Sequence, residues 1–174
     1  MDRRLIRLSD VKREDTAWLW PERVPLGSIT LLDGDPGQNK NTFINEVAAR
    51  LTTGRAMYGS DEPLKPGGVI LLDSEEPPSK MREDLEAAGA DLAKIVIVNR
   101  STPSGDPLTV PDDCQLLEKT AADIEARLIV LSPLTHFLGA SINSDQAIRR
   151  ALAPLQSLAE RLKLAVIAIS VTVT

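Results

Sequence analysis

One cysteine, Cys114, and one histidine, His136, stand in a chain of 174 residues. A single thiol excludes an intramolecular disulfide and fits a reducing compartment. Nothing resembles a His/Cys zinc cluster, and no Ser-His-Asp or G-x-S-x-G arrangement marks a hydrolase nucleophile. Basic residues are also short: 20 Lys and Arg face 25 Asp and Glu, for a formal charge of -5. The composition therefore carries no general attraction for nucleic acid, and any DNA contact would have to be local. No apolar run approaches the roughly 20 residues that span a bilayer, and the start lacks the basic, apolar and small-residue order of a secretion signal. A soluble, cytoplasmic protein with no membrane partner is expected. At 43% hydrophobic residues the chain can build one cored domain, and its length argues against two.

What is present is a rhythm. Five short apolar runs recur: SITLLD (28–33), GVILLD (68–73), KIVIVN (94–99), RLIVLS (127–132) and LAVIAIS (164–170). Continuous Ile, Val and Leu runs read as strands buried on both faces of a parallel sheet. Between them lie helical stripes. Ile44, Val47, Ala48 and Leu51 are spaced for one helix, with Gly54 placed to close it. Met81, Leu85 and Ala88 follow Pro77 and Pro78, with Gly89 as a stop. Leu117, Ala121 and Ile124 form a third, started near Asp112 or Asp113. Ile148, Ala151, Leu152, Leu155, Ala159 and Leu162 form a fourth, which Pro154 should bend or split. The segment YGSDEPLKPGG (58–68) reads as a loop. The alternation predicts an α/β fold with a mainly parallel five-stranded sheet sandwiched between helices. Ligands on such sheets bind beyond the carboxyl ends of the strands.

The first such end carries GDPGQNKNTF (34–43). A phosphate loop has the form G-x-x-x-x-G-K-[ST]: successive backbone N–H groups wrap a phosphate, the lysine reaches the outer phosphates, and the hydroxyl holds Mg²⁺. Gly34 and Lys40 keep the spacing, but Asn39 stands for the second glycine and Asn41 for the hydroxyl residue. The strand before and the helix after are the context such a loop requires; a Gly/Pro/Asn turn between strand and helix is the plainer alternative.

Here the sequence resembles a RecA-like P-loop ATPase of the RepA-like group related to hexameric replicative helicases. The likeness rests on WLWPERVPLGSITLLDGDPG (18–37), LLDSEEP (71–77), LIVLSPLTHFLG (128–139) and IRRALAPLQSLAER (148–161), and covers about residues 9 to 170. It implies a RecA-like P-loop fold in a single domain over residues 1–174, with an N-terminal segment 1–27 and a core 28–174. It also implies ATP and Mg as cofactors, nucleotide as ligand, and a homo-oligomer and DNA as partners of an AAA ATPase. The nucleotide-binding residues it points to are Gly34, Asp35, Pro36, Gly37, Gln38, Asn39, Lys40, Asn41 and Thr42. Glu75 matches the water-activating glutamate, and Asn41 and Ser132 stand where the family holds Mg.

The departures fall at the chemistry. The family places glycine at position 39, Ser or Thr at 41, and aspartate at 132; where it carries basic or histidine sensors after the last strand, this chain has SVTVT (170–174). Asparagine tolerates left-handed backbone best among non-glycine residues, so the path of the loop is expected to survive. The Asn41 amide is a poor substitute for a hydroxyl in a tight Mg²⁺ shell, and Ser132 supplies no charge to offset the cation. Phosphoryl transfer relies on positioning and electrostatics. Each lost contact commonly lowers the rate on the order of 100-fold, so hydrolysis should be crippled. Asp33, Asp35 and Asp73 are expected to crowd the rim with charge that disfavours a triphosphate without metal.

Three readings follow: a domain with weak nucleotide or phosphate binding and impaired hydrolysis; an active ATPase at work on DNA; and a scaffold or assembly module, natural or engineered, with no nucleotide role. His136, Trp18, Trp20, Arg149 and Arg150 are read as packing or surface residues before functional ones. The β-prone VTVT end is expected at an open sheet edge.

Overall fold

The computed structural model describes residues 6–12, 15–98, 108–139 and 145–171. Five parallel strands form the main sheet: β3 (Ile29–Gly34), β4 (Gly68–Asp73), β5 (Ile95–Ile97), β6 (Ala126–Ser132) and β7 (Ala165–Val171), in the order β3-β7-β6-β4-β5. Ahead of it β1 (Trp18–Trp20) and β2 (Val24–Pro25) pair antiparallel, a hairpin the sequence reading did not find. Four helices follow the strands: α1 (Lys40–Thr53), α2 (Pro78–Ala87), α3 (Val110–Asp123) and α4 (Asp145–Leu162).

The continuous apolar runs are explained by two cores. Val69, Leu71, Leu128, Val130, Ala165 and Ile167 face α1 and α2, meeting Ile44, Val47, Leu51, Met81 and Leu85. Their strand neighbours Ile70, Leu72, Ile129, Leu131, Val166 and Ala168 face α3 and α4, meeting Leu117, Ala121, Leu155 and Leu158. Because successive strand side chains point to opposite faces, a strand covered on both sides has no polar position to alternate.

Three expectations are corrected. β7 is not at an edge: it lies between β3 and β6, pairing Ile29 with Val166 on one side and Leu128 with Ala165 on the other. Ala165 to Ile169 are all buried, and a strand apolar on both faces belongs in mid-sheet; Thr172 to Thr174 lie outside the described residues. Second, Pro154 does not split α4, which is one helix from Asp145 to Leu162. The missing bond and ring clash disfavour a helix by about 3 kcal/mol, but burying Leu155 and Leu158 returns about 1.5–3 kcal/mol each. Third, α3 starts at Val110, before Asp112 and Asp113. Those two carboxylates sit in its first turn and reach back to Thr109: the Thr109 hydroxyl donates to Asp112 at 2.8 Å and its amide to Asp113 at 2.8 Å. α1 ends at Gly54, in the left-handed region at φ 75°, as expected. No helix among the described residues is long and apolar enough to cross a membrane.

The register sets the tips of the strands side by side, with Gly34 beside Val171 and Asp73 beside Ser132. The chemistry-bearing loops therefore open at one end of the sheet.

Candidate functional site

β3 ends at Gly34 and α1 begins at Lys40, so residues 35–39 make the turn. Gly37 has φ 80° and Asn39 φ 54°, ψ 32°. Asparagine thus holds the left-handed geometry that the second glycine of a phosphate loop would hold, and its carbonyl accepts the first helical bond from the Phe43 amide at 3.1 Å. The Lys40 ammonium reaches back across the turn, donating to the carbonyls of Gly34 at 2.6 Å and Asp35 at 2.8 Å. Gln38 donates to Asp35 at 3.4 Å; its Oε1 lies 2.5 Å from where a Cβ on residue 34 would stand, so glycine there leaves Gln38 its room. No side chain caps the N-terminus of α1, and the first amides of a helix so left are suited to an anion.

The loop borders a hollow of about 470 Å³ whose wall includes Lys40, Asn41, Thr42, Glu75 and Ser132, together with Pro36 to Asn39. Most of the residues selected from sequence are thus brought together, with Gly34 and Asp35 forming the start of the turn. The rim charge differs from expectation in part. Asp33 and Asp35 are not in this wall, and Asp73 lines a smaller adjoining hollow with Asn41, Glu76 and Ser132; Glu75, Glu76 and Asp84 are in the wall, against the one ammonium of Lys40. Asp84 comes from α2 and was not foreseen. It pairs with Lys80 one turn away, a hydrogen bond that raises the lysine's pKa.

Asp73 has another task. Its Oδ1 accepts the amides of Glu75 at 2.7 Å and Glu76 at 2.9 Å, which turns the chain after β4 and fixes where both glutamates begin. The neighbouring Ser74 ties this turn to the tip of β6: its amide donates to the Ser132 carbonyl at 3.1 Å and its Oγ meets His136 Nδ1 at 2.6 Å. His136 is exposed, so it stands at the surface as expected, but as a tie between loops. Ser132 is buried and precedes a cis peptide to Pro133.

Magnesium does not fit this donor set. The positions on the metal side supply a neutral amide, Asn41, and a neutral hydroxyl, Ser132, while one oxygen of Asp73 is committed to two amides. Among the described residues no group of three or more His, Cys, Asp or Glu is placed to hold a metal ion. Mg²⁺ favours charged, compact oxygens in near-octahedral array.

A second group escaped the sequence reading. On α1, Arg50 Nε donates to Glu46 Oε1 at 2.7 Å, and the Tyr58 hydroxyl donates to the same oxygen at 3.1 Å. The guanidinium carbon lies 3.7 Å from the centre of the Tyr58 ring. Tyr58 foremost, and Glu46 after it, raise the Arg50 pKa against the opposing effect of burial. The spacing of Glu46 and Arg50 was legible as a helical ion pair; the approach of Tyr58 from the following loop was not. Behind them Trp20 is buried, stacked on Phe43 at 5.6 Å, with its indole N–H donating to the Tyr58 carbonyl at 3.0 Å. Trp20 is therefore a packing residue, seated against α1. Trp18 is partly exposed, and Arg149 and Arg150 lie on the exposed face of α4.

Two comparisons bear on this geometry. The family described as "AAA domain" matches residues 3–170. The protein named "DNA repair protein RadA" from Mycolicibacterium smegmatis is 38% identical over 101 residues, which is 56% of this chain and 20% of RadA. The match thus spans about a fifth of that relative's length.

Proposed function

The chain belongs to the AAA domain family with a RecA-like P-loop ATPase fold, and on that premise we propose that it binds the phosphates of a nucleotide weakly and hydrolyses ATP poorly. One observation carries the reading: the loop keeps its shape at Asn39 and its cation at Lys40, while the positions that would grip magnesium are the neutral Asn41 and Ser132.

An entering phosphate would draw the Lys40 ammonium from the carbonyls of Gly34 and Asp35, trading two neutral acceptors for a charged one, a gain typical of charge-assisted bonds. The free amides at the start of α1 add to it. Glu75, Glu76 and Asp84 on the same wall oppose it. Magnesium, when bound in such a site, screens the phosphates and polarises the reacting bond; here Asn41 and Ser132 are neutral, and one oxygen of the neighbouring Asp73 is held by two amides. On this reading Glu75, whose backbone amide Asp73 holds, would be the water activator and Thr42 or Asn41 the metal-side oxygen, but a base without an organised electrophile contributes little. The relative's name associates it with DNA repair; for this chain a formal charge of -5 leaves only local contacts with DNA.

The test restores the exchanged positions together: Asn39→Gly, Asn41→Ser and Ser132→Asp. Release of inorganic phosphate from ATP should stay near background for the natural chain and rise by about 100-fold or more in the variant. A folded variant with no gain would show that the exchanged residues are not what limits turnover.

A further inference from the structure

We propose that the hollow beside Arg127, at the end of the sheet opposite the phosphate loop, binds the carboxylate of a small organic acid with a short apolar body. The site is separate from the nucleotide reading and does not depend on it.

Placement is the first ground. The hollow, about 280 Å³, is walled by Lys65, Glu125 and Arg127 together with the apolar Pro66, Ala121 and Leu162. It lies where β4 and β6 begin, since Gly68 pairs with Ala126 at the first residues of those strands. The phosphate loop follows the last residue of β3, so the two hollows stand at opposite ends of a parallel sheet. They share no wall residue.

The second ground is the state of Arg127. Its side chain is half-buried and lies across Gly67. A Cβ on residue 67 would stand 2.5 Å from the arginine Cγ and 2.7 Å from its Cδ, so the glycine gives the stem its path. Nη1 donates to the Lys65 carbonyl at 2.8 Å. Among the described residues Arg50, Arg82 and Arg161 each pair with a glutamate, whereas no carboxylate pairs with Arg127. Burial alone acts on its pKa, and lowers it. A guanidinium fixed by one carbonyl, partly withdrawn from water and without a counterion gains from an oxyanion that meets its remaining N–H groups.

The wall narrows the class. A guanidinium matches the two oxygens of a carboxylate in its own plane, and the Lys65 ammonium adds a second positive charge to the rim. Glu125 opposes them, so one negative charge on the ligand is accommodated better than two. Glu125 stands just past the end of α3 at φ 49°, a left-handed position that glycine adopts without strain. A glutamate there puts a carboxylate into the wall without pairing it to Arg127. Pro66, Ala121 and Leu162 offer the rest of the surface, which suits an aliphatic body. The volume lies just below the usual range of small-ligand pockets, about 300–1,000 Å³, and limits that body to a few carbons.

Backbone amide NMR of the isotope-labelled full chain, titrated with isobutyrate, formate and inorganic phosphate, tests the site. Isobutyrate should give saturable shifts centred on Lys65, Gly67 and Arg127. Formate, which lacks the apolar body, should bind there about 10-fold more weakly, and inorganic phosphate should bind there more weakly than isobutyrate. Arg127→Gln should abolish the isobutyrate shifts. Arg127→Lys, which keeps the charge and loses the planar fork, should weaken binding several-fold and guards against loss of fold in the glutamine variant. Glu125→Gln should bring inorganic phosphate closer to isobutyrate. Absence of saturable shifts at these amides in the natural chain, binding unaltered by Arg127→Gln, or phosphate bound there as tightly as isobutyrate would overturn the proposal.

Discussion

Asn39 decides whether the loop can exist without its second glycine. At φ 54° a β-branched residue would clash with its own backbone, and left-handed geometry disfavours ordinary residues by about 1–2 kcal/mol. Asn39→Val should therefore lower stability by about 1–2 kcal/mol in urea unfolding, whereas Asn39→Gly should change it by less than about 1 kcal/mol. Equal losses in both variants would mean that the asparagine side chain, not the backbone, holds the turn. The exchanged residues at 39, 41 and 132 were legible because a motif fixes what each position must do. The contacts of Ser74 with His136, 62 residues apart, and of Tyr58 with Glu46, 12 apart across a loop, were not. No periodicity records where a loop side chain returns.

For the elements, the apolar runs gave all five strands of the main sheet, since a strand buried on both faces has a signature that a helix or hairpin does not share. The β1–β2 hairpin was missed because three and two residues are too short for any alternation to show. The placement of β7 was misjudged from its last residues; the buried stretch Ala165 to Ile169 was the better guide to mid-sheet position. α4 shows burial outweighing propensity. Replacing Pro154 by alanine should add a backbone donor and remove the ring clash while leaving Leu155 and Leu158 packed, so Pro154→Ala should stabilise the fold by about 1–3 kcal/mol in urea unfolding. No gain would mean that the helix is already bent to accommodate the proline.

On the scale of the molecule, fold and chemistry separate. The two cores use aliphatic side chains on both faces of the sheet and draw on none of Asn39, Asn41, Glu75 or Ser132. The scaffold can therefore persist while the site changes. The site at the strand tips then holds one lysine from α1, carboxylates from α2, the tip of β4 and the loop after it, and the neutral Asn41 and Ser132 at two positions where a metal would be gripped. The arrangement favours an anion only modestly and gains little from magnesium.

Calorimetric titration of the purified protein with ATP, with and without Mg²⁺, tests that claim most directly. The account predicts dissociation constants weaker than about 10 μM in both cases, with little difference made by the metal. Binding tighter than about 10 μM that depends on Mg²⁺ would contradict it.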